Sequence, residues 1–190
     1  MTGKCMRNCD AREYAVYYIN TLETMICEMI CACKDESISG FFIRQMVPHH
    51  QAAINLTENI LEYTENNRLA NVAQNMLTEQ TEEIENLRNA VCCCDNVKNC
   101  CKDLCEYNRR VNMIMKKMFK EMNCIKLNSN LDCNFMRAMI PHNRGAVEMA
   151  RTAMCYCICE ELCPILKKII DRGERDICRM EELMGCICCL

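Results

Sequence analysis

Apolar residues recur along this chain at alternating spacings of three and four, the period of one face of an α-helix. Ala11, Ala15, Tyr18, Leu22, Met25 and Met29 form one such stripe and predict a first helix. Phe42, Met46, His49, Ala53, Leu56, Ile60 and Tyr63 form a second, and Leu69, Ala73, Met76, Gln80, Leu87 and Val91 a third. No strand alternation or hairpin signal competes, so the expected fold is an all-α antiparallel helical bundle. Asp10 with Glu13, and Asp103 with Glu106, read as capping boxes that open helices. Asn66-Asn67 can start the third helix, and Pro164 suits the first position of the sixth.

The pattern then repeats. At an offset of 93, FIRQMVPHHQAA (42–53) lies over FMRAMIPHNRGA (135–146) with six identities in twelve positions. The same offset pairs Tyr14 with Tyr107, Met25 with Met118, Leu69 with Leu162 and Cys93 with Cys186, without a gap. The chain therefore reads as two tandem three-helix repeats, 1–93 and 94–190, packed as one bundle.

All three histidines fall in the repeated Pro-His element. His49 and His142 occupy the apolar stripe itself, with His50 on the adjoining inner row. Met46 stands one turn before His49 and His50, and Met139 one turn before His142, so thioether and imidazole share a helix face. Gln80 and Glu83 also face inward and could orient an imidazole. A metal site fits this pattern, and so does a buried histidine held by Gln or Glu for packing; both readings stay open. Pro48 and Pro141, inside their helices, free the carbonyls of Arg44 and Arg137 and predict a kink beside the histidines.

Composition adds the chemistry. Of 190 residues, 21 are Cys, 16 Met and 3 His. Such cysteine density suggests a disulfide scaffold, but a chain of this length buries a sufficient core without one. The N-terminus shows no apolar segment or cleavage site of a secretion signal, so free thiols in a reducing cytoplasm are expected. No apolar run approaches a membrane span. A net charge of −3 without a basic run offers nothing for nucleic acid. Thiolates and thioethers are soft donors that favour Cu(I) over hard cations.

The segment MVPHHQAAINL…LANVAQNMLTEQTEEIENL resembles the ferritin-like domain-of-unknown-function family 305, over roughly 41–90 and again, more weakly, over 134–184. The resemblance implies a helical, ferritin-like fold linked to copper handling, with Met46, His49, His50, Gln80 and Glu83 as the positions carried over. The second copy has Asn143, Gly173 and Asp176 where the first has His50, Gln80 and Glu83. A ferritin-like di-iron oxidase would need Glu-x-x-His, which the chain lacks: Met46, Val47 and Met139 precede its histidines by three.

The cysteines avoid 34–91 and crowd the predicted helix ends. With six helices running up and down, Cys27, Cys31, Cys33, Cys92, Cys93, Cys94, Cys100, Cys101, Cys105, Cys155, Cys157, Cys159 and Cys163 collect at one end. Cys5, Cys9, Cys124, Cys133, Cys186, Cys188 and Cys189 collect at the other, leaving Cys178 mid-helix. Zinc ribbons need paired CxxC, and only Cys186/Cys189 has that spacing. The expectation is a cytosolic, non-enzymatic Cu(I) storage or sequestration protein, similar in architecture to the bacterial copper storage proteins. Thiolate clusters would hold the metal, with Met46, His49, His50 and His142 as auxiliary ligands. The alternatives are a Zn(II) or Cd(II) buffer and, least favoured, a metal oxidase or a thiol oxidoreductase. Partner classes are metal ions, a copper chaperone or exporter, and further copies of the chain.

Overall fold

A computed structural model describes residues 3–34 and 36–188, with side chains from residue 9 onward. Its described residues form six α-helices and no strand: α1 (Gly3–Cys31), α2 (Ile38–Tyr63), α3 (Asn67–Cys94), α4 (Cys101–Asn123), α5 (Leu131–Ala153) and α6 (Leu162–Ile187). The expected stripes are the buried faces. Tyr18, Leu22, Met25 and Met29 of α1 are buried, as are Phe42, Met46, His49, Ala53, Leu56 and Ile60 of α2. Their α5 counterparts Phe135, Met139, His142, Ala146, Met149 and Ala153 are buried in the same way. Fully burying a side chain such as Phe42 or Leu56 contributes roughly 1.5–3 kcal/mol, so these stripes decide which helix faces meet.

The helices α2, α3, α5 and α6 are mutual neighbours: α2 packs on α3 and α5, and α6 packs on α5 and α3. The outer helices α1 and α4 lie on α2 and α5 respectively. Positions 93 apart make matching contacts. Tyr14 meets Tyr63 edge-on with ring centroids 6.5 Å apart, and Tyr107 meets Tyr156 edge-on at 5.7 Å. Gly145 of α5 faces Met118 of α4 so closely that a Cβ there would lie 2.2 Å from the Met118 sulfur.

Local signals explain some boundaries and not others. Asn66 caps α3, its side-chain oxygen accepting from the Arg68 and Leu69 amides. Ser37 and Asn130 cap α2 and α5 in the same manner. The proposed capping boxes are corrected. Asp10 and Glu13 sit inside α1, which begins at Gly3, and Asp103 lies in the first turn of α4 behind an N-cap at Cys100. An acidic residue there still favours the helix N-terminus through the dipole. Pro164 is the third residue of α6, not the first. Neither Pro48 nor Pro141 ends its helix; α2 and α5 run through them.

Three connections meet at one end of the molecule. The Asn99 amide donates to the Glu36 carbonyl (2.8 Å), and its side chain accepts from the Ile38 amide (2.9 Å) and donates to the Cys157 carbonyl (2.7 Å). One residue of the α3–α4 connection thus ties the α1–α2 and α5–α6 connections together.

Candidate metal centre

The histidines come together where α2 crosses α5. His49 and His142 stack with ring centroids 3.6 Å apart and planes 28° from parallel. His49 Nε2 lies 3.3 Å from the His142 carbonyl, and His142 Nε2 lies 3.1 Å from the His49 carbonyl. A carbonyl oxygen only accepts, so both Nε2 atoms carry hydrogen, and in the neutral rings that burial favours Nδ1 is the acceptor. Burial pushes the His49 pKa well down, reinforced by His142 and His50. Burial and then His50 lower that of His142 to about 4. His142 Nδ1 lies 3.4 Å from the Asn143 side-chain oxygen, while Asn143 Nδ2 has no partner. A neutral His142 asks for the opposite amide orientation, in which Nδ2 donates to Nδ1. His49 Nδ1 faces no hydrogen-bond partner.

His50 leads outward into a charged network. Its Nε2 lies 3.0 Å from Glu83 Oε2, an ion-pair distance without a hydrogen bond's alignment. The other oxygen of Glu83 accepts from Arg172 at 3.0 Å, and Arg172 also donates to Glu82 at 2.7 Å. Arg175 pairs with Glu79 and Asp176. Burial alone would raise the Glu83 pKa, but His50 and Arg172 outweigh it and hold the carboxyl below its usual range. For Asp176 burial wins, and its pKa rises to about 6.

Glu83 thus contacts an imidazole as its spacing suggests, whereas Gln80 is buried with its side-chain oxygen unpartnered. Met46 and Met139 are fully buried on the histidine faces. Arg172 and Arg175 were not anticipated. Their signal lay in the sequence offset: they stand 93 residues after Glu79 and Glu82, so the charge reverses between the paired positions.

Most of the described free cysteines are exposed. Cys27, Cys31, Cys33, Cys92, Cys93, Cys100, Cys101, Cys105, Cys155 and Cys157 are exposed at or near the end of the molecule that Asn99 ties together. Cys163 is half-buried there, and Cys94 and Cys159 are buried. Cys9, Cys124, Cys178 and Cys186 are exposed elsewhere. The side chain of Cys5, and Cys189, lie outside the described residues. Among the described residues no three Cys, His, Asp or Glu side chains form a group that could hold a metal ion, so the thiols do not stand as preassembled clusters. The expectation of free thiols is corrected for Cys133 and Cys188, which form a disulfide. The start of α5 and the end of α6 are antiparallel neighbours, which brings their Cα atoms to 5.8 Å, within disulfide span.

An all-helical chain whose second and fifth helices meet through paired histidines is the class defined by this geometry. A family model described as a domain of unknown function (DUF305) matches residues 21–91 and again 42–184. The chain belongs to this family. A solved structure, the crystal structure of a DUF305 fragment from Deinococcus radiodurans, matches with a TM-score of 0.56 and 19% identity. The match covers 78% of this chain and 96% of that one, a likeness of fold. No curated protein matches. Among the described residues no helix is long and apolar enough to cross a membrane.

Proposed function

We propose that the protein binds and stores Cu(I) in the cytoplasm through cysteine thiolates, on a ferritin-like bundle of two tandem three-helix repeats. The observation that carries this reading is the convergence of thirteen free cysteines, from the ends of three helix pairs, at one end of the molecule. Cu(I) accepts two or three thiolates in flexible geometry, so exposed thiols on adjoining connections can wrap an ion without a rigid cage. Zinc needs four donors held tetrahedrally, and the described residues hold no such group. Binding replaces thiol protons by metal–sulfur bonds and involves no turnover. The histidines enter as a packing element: both Nε2 atoms of the His49–His142 stack are committed to backbone carbonyls. Met46 is buried on the same face of α2, and His50 meets His49 edge-on with ring centroids 5.7 Å apart.

The test is anaerobic titration of the reduced protein with Cu(I) against a strong chelator, with Zn(II) in parallel. Uptake on the order of ten Cu(I) per chain is expected. Saturation at one or two ions, or tight zinc with weak copper, overturns storage.

A further inference from the structure

Two of the described free cysteines are buried. Cys94, the last residue of α3, is 0% exposed, and Cys159, in the α5–α6 connection, is 3% exposed. Both are held by the start of α2. The Ser37 hydroxyl donates to the Cys94 carbonyl at 2.6 Å, and the Ser39 hydroxyl accepts from the Cys159 amide at 2.9 Å. Cys94 and Cys159 are thus neighbours at the start of α2, and the Cys159 thiol donates to Glu161 Oε2 at 2.6 Å.

We propose that Cys94 and Cys159 form a two-coordinate thiolate site for a single Cu(I) ion, the first ion the protein takes up. This rests on the Cu(I) reading above and gives it an order of filling. Two neighbouring cysteines, buried and fixed through their backbones to Ser37 and Ser39, suit the two-ligand geometry that Cu(I) accepts. They do not satisfy Zn(II). Preorganisation removes the cost of ordering the ligands, which every exposed thiol must meet. A thiol outside an electropositive setting is protonated at neutral pH, so the empty site is the neutral dithiol. Binding exchanges one Cu⁺ for two protons and leaves a bis-thiolate complex of charge −1. The Cys159 proton leaves by way of the Glu161 carboxylate, and both protons end in solvent. The site has no counterpart at the offset of 93, where the positions matching Cys94 and Cys159 are Ile187 and Asn66.

The experiment loads reduced, anaerobic protein with one equivalent of Cu(I). X-ray absorption should report two sulfur neighbours, and chelator competition should give the affinity of that first ion. Cys94→Ser with Cys159→Ser should weaken the first ion at least tenfold, while the exposed Cys178→Ser leaves it unchanged; circular dichroism checks that each variant is helical. A first ion with three sulfur neighbours in the wild type overturns the site, whatever the fate of the variants. So does wild-type first-ion affinity in a folded double variant. Uptake of many ions with no effect of the double variant removes this site and leaves storage standing. Uptake of one two-coordinate ion alone does the reverse, and no uptake removes both.

Discussion

His49 and His142 lie face to face and each gives its Nε2 hydrogen to the backbone carbonyl of the other, so two residues 93 apart in sequence share one reciprocal contact. The arrangement holds α2 against α5 only while both rings are neutral, since two cations stacked in a desolvated centre would repel.

Acid should therefore loosen the protein. Below about 6.5 the unfolded chain binds protons that folded His49 and His142 refuse, so stability falls with pH, by about 1.4 kcal/mol per unit for each ring. For His142 the loss continues down to about 4. Asp176 works the other way: its raised folded pKa, about 6, adds stability as pH falls from 6 towards its unfolded value. Two histidines outweigh one aspartate, and urea unfolding should show about 2–3 kcal/mol less stability at pH 5 than at pH 7. His142→Gln should flatten that profile and Asp176→Asn should steepen it. Equal stability at the two pH values would count against neutral stacked rings.

Arg172 compensates the buried Glu83 carboxylate while touching Glu82 as well. Arg172→Met should cost about 2–4 kcal/mol, because it leaves a carboxylate buried beside His50 alone. Breaking the exposed Lys117–Glu148 pair by Lys117→Met should cost at most about 1 kcal/mol. Denaturant midpoints of the two variants measure the contrast; similar losses would mean that Glu83 is better solvated than its burial implies.

The Cys133–Cys188 bridge closes a sequence separation of 55. Its reduction should lower stability by up to about 4 kcal/mol, the unfolded-chain entropy regained by a loop of that length. Cys188→Ser should show the same loss without reductant. Thiol counts with and without reductant, under denaturation, should differ by two. A count that reductant leaves unchanged would place both residues among the free thiols.

Asn66 accepts two amide hydrogens at the start of α3. Asn66→Ala should destabilise by about 1 kcal/mol and Asn66→Asp by much less, both measurable as shifts of the thermal midpoint. Equal effects would mean that the cap contributes nothing beyond the tertiary packing of α3.

The helices could be read from the chain because burial of one face imposes a period, and Phe42 through Ile60 keep that period through Pro48. The inward histidines were legible for the same reason, each standing where the period demands an apolar residue. The Arg172–Glu83 contact was less so, since it needs the knowledge that α6 lies against α3. The cysteines show where spacing stops informing. It places Cys92, Cys93 and Cys94 at one end of the fold but does not say that only Cys94 turns inward. The disulfide escaped for a related reason, joining the first turn of α5 to the residue that caps α6.

The charge reversal between Glu79 and Arg172, and between Glu82 and Arg175, makes the two halves of the chain complementary rather than equivalent. Put glutamates at Arg172 and Arg175, as at the positions 93 earlier, and α3 would face α6 with carboxylates on both sides and Lys168 left beside Glu82. Two copies of the first half would repel across this contact where the first and second halves attract. The contact works as a lock with one key: α3 and α6 complement each other's charge, so a substitution on one face is tolerated only where the other face answers it.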